Sequence, residues 1–322
     1  MQYTYLGTSG LKISRIALGC MSFGDPLPMT PWTLDKDTAA PIFRQAVDAG
    51  ITFWDTANIY GVGSSEEIVG AAIKTYTRRD QVVLATKLGL PMHDGPGGSG
   101  LSRRAIMENI DASLTRLGTD YVDLYQIHRF DPNTPAEETM EALHDVVKAG
   151  KARYLGASSM WTWQFAKLQH AAQINGWTRF VSMQNQYSLM MREDEREMFP
   201  LLADQGVGSI PWSPLAKGRL TRPWAQKTNR GANDPVADRF MGEESRPIAD
   251  AVQHIAETRG IPMAQVALAW VLRHPSVNAP IIGTTKPAQL TDAVQALNLS
   301  LTADEIDQLE KPYTPRRPTG FQ

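Results

Sequence analysis

Cysteine is all but missing from this sequence: Cys20 is the only one in 322 residues. No intramolecular disulfide can form, and a zinc cluster built on thiolates is excluded. An excess of either charge is missing too, since 32 Lys and Arg stand against 34 Asp and Glu, a net charge of −2. Sequence-independent binding to nucleic acid needs clustered cations to neutralise phosphate, so that class is set aside. Apolar runs stop well short of the ~20 residues that cross a bilayer. Residues 1–10, polar and aromatic, lack the basic and apolar regions of a secretory signal. These absences predict a cytoplasmic protein in a reducing compartment, acting on a small molecule, with no nucleic-acid or membrane partner. The oligomeric state is not legible.

What is present is an ordinary globular composition, 42% hydrophobic and 20% charged, which suffices for a sizeable core. Short runs of β-branched and apolar residues recur, and each leads into a stretch of helical spacing. They predict eight strands, at residues 16–20, 52–55, 82–87, 122–128, 154–158, 180–184, 208–212 and 279–283. Most strand ends lie about 30 residues apart, room for a strand, a helix and two loops. Gly50, Gly150 and Gly206 mark helix ends just before the next strand. Over 102–117, Ile106, Ile110, Ser113, Leu114 and Leu117 form one helical stripe. The last interval is oversized and contains a long loop, 217–246, before helical spacing resumes at Ile248. A glycine-rich loop, 94–100, follows the third strand. Before the first strand, residues 3–6 and 12–14 flank Gly7-Thr8-Ser9-Gly10 as a β-hairpin.

Eight βα units predict an α/β fold, one (β/α)8 TIM-barrel domain over 1–322, with the hairpin capping its amino-terminal mouth and long loops at the carboxyl-terminal one. A doubly wound open sheet uses the same units, but its glycine fingerprint is missing. The turn after the first strand reads Gly19-Cys20-Met21-Ser22-Phe23-Gly24, without G-x-G-x-x-G spacing.

In a barrel, Asp55, Lys87, His128, Ser158, Gln184 and Trp212 all end strands on one mouth. Taken singly, Asp55 reads as a strand-ending turn residue, Lys87 as a solvated strand end, His128 as a core-edge histidine and Trp212 as core filling. Tyr60 alone is an exposed tyrosine. Together they make chemical sense. A phenol, with an ordinary pKa near ~10, gives up its proton more readily beside an ammonium that stabilises the phenolate left behind. Asp55 would hold Lys87 charged, Tyr60 would protonate a carbonyl oxygen, and His128 would be a second donor to it. Such a site has no nucleophile and needs no metal, so the missing reactant is a hydride-donating cofactor. Trp212 offers a flat face for a nicotinamide ring, with Ser158, Ser159 and Gln184 near its carboxamide.

At this point the sequence resembles the aldo/keto reductase superfamily. The resemblance rests on five ordered motifs: Phe53-Trp54-Asp55-Thr56-Ala57-Asn58-Ile59-Tyr60-Gly61, Leu117-Gly118-Thr119-Asp120-Tyr121-Val122-Asp123-Leu124, Gly150-Lys151-Ala152-Arg153-Tyr154-Leu155-Gly156-Ala157-Ser158-Ser159, Pro211-Trp212-Ser213-Pro214-Leu215-Ala216-Lys217-Gly218 and Pro280-Ile281-Ile282-Gly283-Thr284-Thr285-Lys286-Pro287. It implies a catalytic tetrad of Asp55, Tyr60, Lys87 and His128. It also implies nicotinamide contacts at Ser158, Ser159, Gln184 and Trp212, where tryptophan replaces the commoner tyrosine. Ser213, Pro214, Leu215, Lys217 and Gly218 match its pyrophosphate loop, and Gly283, Thr284, Thr285 and Lys286 its adenosine-phosphate loop. Gly19, Cys20, Met21, Asp55, Gln289 and Asp292 join the implied cofactor set. Gln289 stands where many members carry arginine for the 2′-phosphate, and Ala293 where asparagine is common. NADP is therefore the expected cofactor, with NAD left open. Within the superfamily the chain looks most like bacterial YajO-like reductases, which share the long loop and the Gln126-Ile127-His128-Arg129 run.

The expected activity is NADPH-dependent reduction of an aldehyde or ketone. Phe23, Trp32, Phe130, Trp161 and Trp163 on mouth loops are expected to line the substrate pocket, and Arg129 hints at an anionic carbonyl compound. One rival is a binding module, since the fold also resembles potassium-channel β subunits that hold NADP. Another is a metal-dependent barrel hydrolase, which would need clustered ligands; only His128 of the six histidines ends a predicted strand.

Overall fold

A computed structural model describes residues 1–28, 30–226 and 242–318. The hairpin forms from β1 (Tyr3–Tyr5) and β2 (Lys12–Ser14). Eight parallel strands follow: β3 (Ala17–Gly19), β4 (Phe53–Asp55), β5 (Val83–Leu88), β6 (Val122–Ile127), β7 (Ala152–Ser158), β8 (Phe180–Gln184), β9 (Gly208–Ser209) and β10 (Ile281–Gly283). They pair in chain order, with β10 returning to β3. The ring is completed where Ser209 N donates to Ser276 O (3.0 Å) and Ile281 N donates to Pro211 O (2.9 Å). This is the predicted (β/α)8 arrangement.

The strands differ from expectation mainly at prolines. The segment 208–212 still bonds to β8 through Ile210 N to Met183 O and Trp212 N to Asn185 O. Pro211 has no N–H, so the regular ladder stops at Ser209. Pro280 likewise delays the start of β10 to Ile281.

Helices fill the βα units as the glycine stops predicted. Arg103–Leu117 starts at Ser102, whose hydroxyl accepts from Ala105 N, and ends at Gly118 in the left-handed conformation. Its stripe of Ile106, Ile110, Ser113, Leu114 and Leu117 is buried. The helical spacing after the long loop is the helix Arg246–Arg259, while 227–241 of that loop lie outside the described residues. Met263–Leu272 is a further helix that periodicity did not disclose. Nine of its ten residues are buried, so it has no polar face to give it a stripe.

Alternation along the strands divides the interior into layers. Outward residues such as Leu18, Trp54, Leu84 and Tyr125 pack beneath the helices. Inward residues Ala17, Phe53, Ala85 and Leu124 meet Leu6 and Ile13 of the hairpin in a separate apolar cluster. The hairpin thus plugs the amino-terminal mouth and gives the barrel a dry floor. Two residues further along β4, β5 and β6 the same inward face carries Asp55, Lys87 and Gln126. No helix among the described residues is long and apolar enough to cross a membrane.

Candidate active site

On that floor the inward polar layer closes into one network. Lys87 Nζ donates to Asp55 Oδ2 (2.6 Å), to Thr56 O (2.9 Å) and to the Tyr60 hydroxyl (3.2 Å). Lys87 and Asp55 are both buried. Burial opposes the lysine charge, yet the Asp55 carboxylate and the Tyr60 hydroxyl hold its pKa above the ordinary value. Lys87 is therefore an ammonium at neutral pH, and it lies 4.7 Å from the Tyr60 ring centroid.

Tyr60 comes from the loop after β4, not from a strand. Gly61, Val62 and Gly63 all have positive φ (57°, 50° and 102°), a tight left-handed turn that brings the chain into the helix Ser64–Tyr76. Val62 holds this conformation despite its branched Cβ, the kind of local strain that surrounding structure must sustain.

Asp55 Oδ1 accepts from Gln126 Nε2 and Gln184 Nε2, both at 2.9 Å. Gln126 is a site residue that the sequence reading passed over. Its signal was available, because residues two apart on a strand share a face and Gln126 precedes His128 by two. Gly156 on β7 makes room for it: a Cβ there would lie 2.5 Å from Ser182 Oγ and 3.0 Å from Gln126 Cγ.

His128 completes the rim. Its backbone N–H donates to Leu88 O (2.8 Å), and its ring meets that of Tyr60 edge-on at 5.8 Å. Burial, joined by the charges of Lys87 and Arg129, pushes the imidazole well below its ordinary pKa. It is thus neutral, and its Nδ1 is buried without a hydrogen-bond partner. Around this centre, the arrangement offers a phenol donor beside an ammonium and a neutral imidazole, all facing one mouth.

On the opposite rim, Trp212 Nε1 donates to Ser159 Oγ (2.9 Å), which fixes the indole. Ser158 Oγ donates to Gln184 O (2.8 Å) and contacts Ser159 Oγ (3.2 Å). Gln184 spends its amide group on Asp55 and, at 3.3 Å, on Gln126 Oε1. Ser213, Ala216, Lys217 and Gly218 all have positive φ (51°, 49°, 53° and 88°) around half-buried Leu215 and buried Pro214. Such successive turns form main-chain concavities suited to anions. After β10, Thr284 Oγ1 donates to Gln289 Oε1 (2.7 Å), and Thr285 N donates to the same oxygen (3.1 Å). Gln289 thereby caps the Gly283 to Lys286 loop with its own side chain, while Asp292 Oδ1 accepts from Gln265 Nε2 (3.3 Å) on the helix Met263–Leu272.

Residues 15–313 match the aldo/keto reductase family. The chain belongs to that family. It is 45% identical to versiconal hemiacetal acetate reductase of Aspergillus parasiticus, over 98% of each chain. It is 41% identical to a putative aryl-alcohol dehydrogenase of Schizosaccharomyces pombe, covering 97% of this chain and 96% of that one. A putative aryl-alcohol dehydrogenase of Saccharomyces cerevisiae is 40% identical over 97% of each. Family membership makes carbonyl reduction the supported chemistry, and aldo/keto reductases generally draw hydride from NAD(P)H.

Residues expected around the cofactor and substrate are dispersed. Gly19 ends β3 at the register partner of Asp55. Cys20 is buried in the core, where burial pushes its thiol well up, and its carbonyl accepts from Ser65 Oγ. Met21 is exposed beside it. Phe23 is a correction: it is fully buried against Phe43 at 4.7 Å, so it packs the core and does not line the mouth. Its side chain falls inward because the turn after β3 tucks under the helix Lys36–Asp48. Phe130 and Trp163 contact each other edge-on at 5.9 Å, Trp161 and Trp163 are exposed, and Trp32 is half-buried. Among the described residues no group of three His, Cys, Asp or Glu is placed to hold a metal ion.

A second buried acid lies beyond β8. Asp194 Oδ2 has no hydrogen-bond partner, and burial raises this carboxyl to about 7, with the nearby Asn185 side chain acting against the rise and Glu193 with it. A raised folded-state pKa makes the protonated form the stabilising one; that contribution is full below the ordinary carboxylate range and is lost as pH rises through the folded value. Asp194→Asn is therefore expected to raise Tm over the native chain more at about pH 8 than at about pH 5. Thermal melts at both pH values check this, and an equal gain at both would contradict it.

Proposed function

We propose that this protein reduces an aldehyde or ketone to its alcohol, with NADPH as hydride source and Tyr60 as general acid. The observation that carries this reading is the unbroken contact chain from Asp55 through Lys87 to Tyr60, above a floor closed to water. When bound, the nicotinamide dinucleotide supplies a hydride to the carbonyl carbon. Trp212, Ser158, Ser159 and Gln184 would hold its nicotinamide end, the turns from Ser213 to Gly218 its pyrophosphate, and Gly283 to Lys286 its adenosine phosphate. The fixed indole and the main-chain concavity fit those roles.

Tyr60 gives its proton to the carbonyl oxygen, and the phenolate it becomes stays paired with the Lys87 ammonium until solvent reprotonates it. Asp55 keeps Lys87 charged and aimed, and Gln126 with Gln184 keeps Asp55 in place. His128, neutral, offers an N–H to the same oxygen. Charge on that oxygen grows only as the hydride arrives, so these donors stabilise the transition state more than the ground state.

For the 2′-phosphate, Lys286 is the cation on the loop, since Gln289 is occupied in capping it. Fluorescence titration is expected to show NADPH binding more tightly than NADH, with Lys286→Ala weakening NADPH about tenfold. Absorbance decay with a carbonyl panel then tests turnover. The names of two relatives and the exposed aromatic edge of Phe130 and Trp163 favour aromatic aldehydes as the first members. Binding without turnover across the panel would leave a cofactor-holding module, and no binding to either nucleotide would overturn both. Kinship with bacterial YajO-like reductases rests on the Gln126-Ile127-His128-Arg129 run, while the relatives named above are fungal. A lone, buried cysteine supports a reducing, cytoplasmic setting.

A further inference from the structure

We infer that the carbonyl substrates of this site carry an anionic oxyacid group, a carboxylate or phosphate, received by Arg129; the inference rests on the reductase reading above. Arg129 follows His128 at the end of β6, on the rim that carries the reacting groups. Its Nη1 donates to the His128 carbonyl oxygen at 2.6 Å, which folds the guanidinium back over the strand end. One donor of five is thereby used.

No carboxylate among the described residues pairs with this partly buried cation. Arg79, Arg116 and Arg192, similarly withdrawn from water, face Asp123, Glu66 and Glu195 at 2.6–2.8 Å. Arg15 also lacks a carboxylate but ends on two main-chain carbonyls, those of Val277 and Leu272. The acid nearest in sequence, Asp131, is engaged elsewhere: its oxygens accept from Leu101 N, Asn133 N and the Thr134 hydroxyl. The remaining charges of the site cancel, since Lys87 is matched by Asp55 and His128 is neutral. Arg129 is thus the net positive charge of this rim, half-buried, with the His128 carbonyl as the protein partner of its fork.

Burial lowers the guanidinium from its ordinary pKa, while the Tyr60 hydroxyl acts in the opposite sense. An anion that meets a half-buried cation offsets part of what its burial costs. A guanidinium fork matches a planar or tetrahedral oxyanion with paired N–H bonds. Beside it, His128 Nδ1 is a buried polar atom without a partner in the protein. One ligand bearing a carbonyl and an oxyacid group would engage both the His128 and Arg129 side chains.

The test compares 2-, 3- and 4-formylbenzoate with their methyl esters, and 4-formylphenyl phosphate with 4-methoxybenzaldehyde, using NADPH. The native chain is expected to show kcat/KM for the best anion about tenfold or more above its neutral counterpart, largely through KM. Arg129→Gln is expected to bring that ratio to about one, and Arg129→Lys, which keeps the charge without the fork, to an intermediate value. A native ratio of one or less, or a ratio unchanged in Arg129→Gln, would overturn the proposal. The latter pattern, both substrates slowed alike, would mean that Arg129 acts through Tyr60. Preference confined to the phosphate, or to a benzoate, identifies which oxyanion the fork takes. If the native chain consumes neither member of any pair, the reductase reading falls separately. Calorimetric titration of the same pairs against the NADP-bound protein then still decides whether Arg129 selects the anion.

Discussion

Tyr60→Phe is expected to lower kcat for carbonyl reduction about 100- to 10,000-fold, the range that a positioned acid contributes, and to leave the NADPH dissociation constant unchanged. The substitution removes one oxygen and little else. The ring would keep its place over Lys87 at 4.7 Å and its edge contact with His128 at 5.8 Å, so the packing that holds the loop after β4 survives. On the proposed mechanism, what disappears is the proton for the forming alkoxide and the 3.2 Å bond through which Lys87 would stabilise the phenolate. His128 remains as a neutral donor, so a residual rate above background is expected. Single-turnover absorbance and fluorescence titration separate the two quantities. Native turnover in the variant would remove Tyr60 from the acid role, and a matching loss of nucleotide affinity would make its role one of shaping the pocket.

Much of this site was legible because a parallel barrel obeys two short periods. The interval of strand and helix predicted the topology, and strand ends on one mouth gathered Asp55 and Lys87, which the structure sets two residues beyond Phe53 and Ala85 on the inward face. Alternation along β6 puts Gln126 on that face too, but it went unread, because a glutamine inside an apolar strand carries no chemical flag until the carboxylate it serves is seen. Gln184 was read as a cofactor contact from its position at a strand end, and its bond to Asp55 depends on the shear between β8 and β4, which are not neighbours in the sheet. Phe23 was misplaced because a turn residue one step from a strand end can fall to either side. The helix Met263–Leu272 escaped for the opposite reason, being buried on every face and so without a period. Local pattern thus reported which face a residue takes, and missed contacts made across the barrel.

The dry floor makes one lysine a test of both stability and the proposed chemistry. Lys87→Met is expected to reduce turnover at least as severely as loss of Tyr60 and, unlike it, to destabilise the fold by about 3–5 kcal/mol, the usual result of removing one partner from a buried ion pair. Asp55 would retain its two amide donors from Gln126 and Gln184, but its Oδ2 would lose the 2.6 Å ammonium in a layer that solvent does not reach. Changing both partners, Lys87→Met with Asp55→Asn, is expected to recover most of that stability and none of the activity, since a buried pair as a whole adds little to folding while the proposed mechanism needs the ammonium beside Tyr60. A shift of pH does not imitate the substitution. Lys87 has its folded-state pKa raised, so its contribution is full below the ordinary lysine value and fades only as pH climbs through the raised one. Denaturant unfolding of the native, single and double variants near neutral pH, with kcat measured on each, gives the coupling directly. A double variant as unstable as Lys87→Met alone would show that the instability does not come from leaving the Asp55 carboxylate without its cation.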